Sequence, residues 1–124
     1  MKDPIETVDA YFAMWNEGDP ARRAKHIREA WAPGGRYVDP LIESAGHEAL
    51  SAMVATVHHR FPGHRFRRTS GVDRHHDVVR FHWDLMAPDG AIVVAGIDVG
   101  WLAPDGRLQA VTGFFGDVPA LVAA

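Results

Sequence analysis

The sequence has no cysteine, which excludes disulfides and thiolate metal sites and points to a reducing compartment, so a cytoplasmic protein is expected. It has no apolar run near the length of a membrane span. The N-terminal stretch MKDPIETVDAYF lacks the apolar core of a signal peptide. Positive charge is not in excess. The net charge is −3 with neutral histidine, which argues against a nucleic-acid partner held through phosphates. No P-loop, dinucleotide fingerprint or Gly-x-Ser-x-Gly elbow occurs. The histidines include the adjacent pairs His58-His59 and His75-His76. Neighbours point apart, and neither pair has the helical i, i+4 spacing of zinc ligands. No metal and no cofactor are therefore expected.

What is present suits a small packed domain. At 124 residues and 47% hydrophobic composition, the chain reads as one domain, 1–124, with a core of its own. Asp3-Pro4 and Asp19-Pro20 each pair a capping acid with a proline in the first turn, so each starts a helix. The first helix carries Ile5, Val8, Phe12 and Trp15 at helical spacing and stops at Gly18. The second runs to about Trp31, and its Arg22, Arg23, Lys25 and Arg28 read as a solvated face. Pro33-Gly34-Gly35 reads as a break, Arg36 to Asp39 as a short strand and Pro40 to Gly46 as a loop. A third helix is expected over His47–Arg60, with Leu50, Met53, Val54, Val57 and Phe61 inward and Pro62-Gly63 as its stop.

From His64 the period changes to two. Strands are expected at about 64–74, 76–87, 91–102 and 107–115, with Pro88-Asp89-Gly90 and Pro104-Asp105-Gly106 as turns. Helices followed by a strand meander give an α+β class: helices packed on one face of a curved, mostly antiparallel sheet.

Asp98 is a single acid among apolar and glycine neighbours, flanked by Gly96 and Gly100. A carboxylate so placed is either a pocket group with a shifted pKa or a residue of the outer sheet face. Pairing Ala103 with Arg107 puts Leu108, Ala110, Thr112 and Phe114 on the Asp98 face, which favours an inward Asp98. The preceding hairpin leaves two registers open. A three-residue loop puts Arg80, His82 and Asp84 beside Asp98, whereas a two-residue loop puts Phe81 and Trp83 there. Trp101, Val99, Val111 and Phe115 then fall on the outer face, where a homodimer contact is expected.

Three stretches carry a resemblance. YFAMWNEGD at 11–19, YVDP at 37–40 and the last hairpin, GIDVGWLAPDGRLQAVTGFFG at 96–116, are similar to segments of the ketosteroid isomerase family. More broadly, the chain resembles the nuclear-transport-factor-2-like (NTF2-like) superfamily with its SnoaL-like polyketide cyclases. The resemblance implies a conical α+β fold with a pocket between helices and sheet. It also implies a base, Asp39, that moves a proton beside a carbonyl, with Tyr11 and a protonated Asp98 as donors to the enolate oxygen. Trp15, His82, Trp83, Thr112 and Phe114 are the expected pocket residues. The expected partner is a small apolar carbonyl compound, either transformed by isomerase- or cyclase-type proton transfer or only bound; the remaining alternative is a domain whose sheet face only dimerises.

Overall fold

The computed structural model describes residues 2–122. Helix α1 (Pro4–Asn16) begins where Asp3 accepts a hydrogen bond from the Ile5 amide. Its buried face is Thr7, Val8, Tyr11, Met14 and Trp15, while Ile5 is half exposed and lies off the stripe. Helix α2 (Pro20–Ala30) begins the same way, with Asp19 capping the Arg22 amide. Helix α3 (His47–Arg60) follows Gly46, which stands at φ 87°. Leu50, Met53 and Val54 are buried on it, whereas Val57 and Phe61 are only partly covered.

Arg23 departs from the solvated face expected of α2. It is buried, and its guanidinium donates to the carbonyls of Glu17, Gly18 and Ser51 and to the Ser51 hydroxyl. A buried charge is tolerable when its donors are met, and here they tie the end of α1 to α3.

The strands are β1 (Trp31–Val38), β2 (Glu43–Ala45), β3 (Arg65–Arg68), β4 (Asp73–His75), β5 (Val78–Met86), β6 (Ile92–Leu102) and β7 (Leu108–Phe115). Their order is β2-β1-β7-β6-β5-β3, with β4 also on β5. Only β1 and β7 run parallel. The three helices pack on this curved, open, mixed sheet to make an NTF2-like α+β cone. No helix of the described residues is long and apolar enough to cross a membrane. Strand β1 starts five residues earlier than expected and runs through Pro33-Gly34-Gly35, with a break in its register against β7.

The sheet faces are decided by two β-bulges. The Ala87–Ala91 and Ala103–Arg107 pairs form as a three-residue loop requires. Beyond the first loop, however, Met86 pairs with Ile92 and Leu85 with Val94, leaving Val93 extra on β6. Beyond the second, Leu102 pairs with Leu108 and Trp101 with Ala110, leaving Gln109 extra on β7. One extra residue moves every later side chain to the opposite face. Asp98 therefore stands opposite Phe81 and Gly113.

Candidate active site

Asp98 points inward and is 3% exposed. Its Oδ2 is 2.7 Å from the Tyr11 hydroxyl on α1, and its Oδ1 accepts from the Trp83 indole N–H at 3.0 Å. Trp83 reaches it across Gly96, where a Cβ would strike the indole at 2.7 Å. Burial pushes the Asp98 carboxyl up to about 7, against the hydrogen bonds from Tyr11 and Trp83, and the charge of Asp39 adds to the rise. Burial, with the Asp98 charge next, also holds both Tyr11 and Tyr37 well above the ordinary phenol range. Both therefore remain neutral hydroxyls.

Asp39 sits just beyond β1. Its Oδ1 accepts from the amides of Leu41 and Ile42 at 2.8 and 3.0 Å, and its Oδ2 accepts from the Tyr37 hydroxyl at 2.7 Å. Gly113 of β7 is where the two carboxyl groups converge. A Cβ there would meet Asp98 Oδ1 at 2.8 Å, the Asp39 Cβ at 3.4 Å and the Tyr37 hydroxyl at 3.5 Å. The missing side chain leaves room for both acids in one cavity.

That cavity is about 450 Å³, within the range of small-molecule sites. Tyr11, Tyr37, Asp39 and Asp98 line it, and most of the remaining wall is aromatic and aliphatic. The Trp15 ring packs edge-on against Tyr37, 5.3 Å between centroids, and leans on Phe66 at 5.0 Å.

Of the residues singled out by sequence, Tyr11, Trp15, Asp39, Trp83 and Asp98 all line this cavity. Three expected to face Asp98 do not. His82 is exposed and opposite Ile97, on the other face of β5. Thr112 and Phe114 pair with Val99 and Ile97 and share that outer face, where Phe114 is 56% exposed. The bulge at Val93 moved His82 out and Trp83 in, and the bulge at Gln109 moved Thr112 and Phe114 out. By the same shift, Val111 is buried and Phe115 lines the cavity, so neither belongs to the outer surface expected to dimerise. Trp101 and Val99 do lie on that outer face. There Arg80 pairs with Asp73 and Asp84 with Arg67, so no Arg80-His82-Asp84 row faces the cavity.

Tyr37 was missed as a site residue. Its signal was present: Tyr37 and Asp39 are two apart at a strand end, so their side chains share a face. His75 and His76 also differ from expectation. His76 takes a positive φ of 51°, and the two Nδ1 atoms meet at 3.2 Å on an exposed turn. Among the described residues, no group of three or more His, Cys, Asp or Glu could hold a metal ion.

The sequence matches the SnoaL-like domain family over residues 8–111, and the chain belongs to that family. A crystal structure from Agrobacterium tumefaciens str. C58, of a protein provisionally described as an isomerase of the SnoaL-like family, is 38% identical. That match covers 94% of this chain and 100% of the other, with a TM-score of 0.87. An NTF2-like protein of unknown function from Exiguobacterium sp. 255-15 shares the fold at 18% identity, over 90% and 99% of the two chains, with a TM-score of 0.71. A protein from Jannaschia sp. CCS1, provisionally described as a SnoaL-like polyketide cyclase, shares it at 24% identity, over 93% and 90%, with a TM-score of 0.65. No curated protein matches the sequence.

Proposed function

We propose that this chain catalyses proton transfer beside the carbonyl group of a small apolar ketone, using only its own acid and base. The observation that carries this reading is the buried Asp98–Tyr11 pair at the wall of an apolar cavity that also holds Asp39. The Trp83 indole can only donate, so it reserves Asp98 Oδ1 as an acceptor. A proton on Asp98 then sits on Oδ2 and is donated to the Tyr11 oxygen 2.7 Å away. No other acceptor among the described residues bonds the Tyr11 hydroxyl, so its hydrogen turns to the cavity. The two groups act in series: Asp98 polarises Tyr11, and Tyr11 donates to the ketone oxygen.

Asp39 removes the α-proton. The C–H pair moves to the carbonyl oxygen as an enolate, and that charge is met by the Tyr11 donor in a water-poor site. Return of the proton to another carbon is an isomerisation. Attack of the enolate carbon on a second carbonyl is a cyclisation. The likeness to a provisionally described isomerase at 38% identity supports this class of chemistry.

The test is deuterium exchange into 2-tetralone in D2O, followed by NMR, with 2-naphthol as a binding probe for the enolate. Asp39→Asn is expected to lower exchange at least about a hundredfold while 2-naphthol still binds. The donor form of Asp98 is the protonated one, so exchange is expected to fall as pH rises through about 7. A rate that rises through that pH would reverse the roles of the two acids. Binding of 2-naphthol with no exchange by the wild type would make the chain a binding module.

A further inference from the structure

Resting on that proton-transfer reading, we propose that Tyr37 is a positioning residue that holds Asp39 with a single lone pair, on Oδ2, free for the substrate's proton. A carboxylate offers about four lone-pair directions. In Asp39 three are occupied. The Leu41 and Ile42 amides take both on Oδ1, and the Tyr37 hydroxyl takes one on Oδ2. The carboxylate plane is thereby fixed from both ends. The remaining direction is on Oδ2 of a residue that lines the cavity.

Tyr37 is itself fixed. It is 4% exposed, its ring packs against Trp15, and its strand is paired on both sides, with Val111 of β7 and Ser44 of β2. Its hydroxyl lies 3.5 Å from the space vacated at Gly113, between the two acids. It thus reaches Asp39 from the cavity wall. In the step served, the substrate C–H bond breaks and an O–H bond forms on Asp39 Oδ2. The electron pair passes to the substrate oxygen, and Tyr37 keeps its own proton throughout. Misplacing a catalytic group by about 1 Å can cost on the order of 100-fold in rate, which sets the upper size of the expected effect.

The experiment is a double-mutant cycle on 2-tetralone exchange. Tyr37→Phe keeps the ring and removes only the hydroxyl. It is expected to lower the saturated exchange rate by roughly 10- to 100-fold. The 2-naphthol affinity should stay within about twofold, a split that a loss of packing would not produce. In an Asp39→Asn background the same change should have no effect, because Tyr37 acts through Asp39. As a second variant, 3-fluorotyrosine at position 37 keeps the donor, and the rate should return near the wild-type value. An equal loss in both backgrounds, an unchanged rate in Tyr37→Phe, or no recovery with fluorotyrosine would overturn the inference while leaving the base role of Asp39 standing. A wild type that exchanges no deuterium, indistinguishable from Asp39→Asn, would remove the proton-transfer reading and this inference with it.

Discussion

Asp98 carries a conflict between solvation and charge. The unfolded chain releases its proton near the ordinary 3.8, whereas the folded protein keeps it to about 7. Folding stability therefore falls as pH rises across this window and levels off above it, the reverse of the usual carboxylate. At about 1.4 kcal/mol for each tenfold change, ionised Asp98 costs the fold roughly 4 kcal/mol above neutral pH. Asp98→Asn keeps the shape, offers an acceptor to Trp83 and carries no charge. Its unfolding free energy in urea is expected to exceed that of the wild type by on the order of 2–4 kcal/mol at pH 8, with most of the advantage gone at pH 4. An advantage independent of pH would mean that Asp98 does not hold its proton in the folded state. The site as arranged thus opposes stability at neutral pH, as preorganised polar groups in dry cavities generally do.

At the scale of the element, both hairpins owe their inner faces to a single extra residue. Deleting Val93 would remove the bulge yet keep Leu85 opposite Val94, Trp83 opposite Gly96 and Phe81 opposite Asp98, so the inner face would be preserved. The variant is expected to keep cooperative thermal unfolding and a native-like near-ultraviolet circular dichroism spectrum, and loss of both would contradict the bulge assignment. This is also where the sequence was least legible. Helix starts and stops carry local chemistry, Asp-Pro at one end and Pro-Gly at the other, and α3 lies where its pattern puts it, His47–Arg60. The loop pairs Ala87–Ala91 and Ala103–Arg107 also carry local chemistry, and both occur. The bulge residues, a valine and a glutamine, carry none. They are fixed by which side chains the helices must cover, a long-range demand that a short window does not contain. His82, Thr112 and Phe114 were misplaced for that one reason. Asp98 does face inward, although the register that favoured this put Ala110, Thr112 and Phe114 on its face, where Val111, Gly113 and Phe115 stand instead.

Across the whole molecule, four strand and helix segments far apart in sequence deliver one acid–base constellation. The chain has only two tyrosines, and both hydroxyls bond a cavity carboxylate. The order of Tyr11, Asp39 and Asp98 along the chain was enough to suggest the family, because the cone brings α1, the end of β1 and the middle of β6 to one place. The Trp83 donor became visible only with the side chains in register. The proposed chemistry hangs on the protonation of the buried acid on β6. The direct measurement is an NMR titration of the Asp98 carboxyl in protein carrying 13C-labelled aspartate, assigned by its loss in Asp98→Asn. A midpoint near 7 is expected; a midpoint near 4 would contradict the claim that Asp98 supplies the proton behind Tyr11.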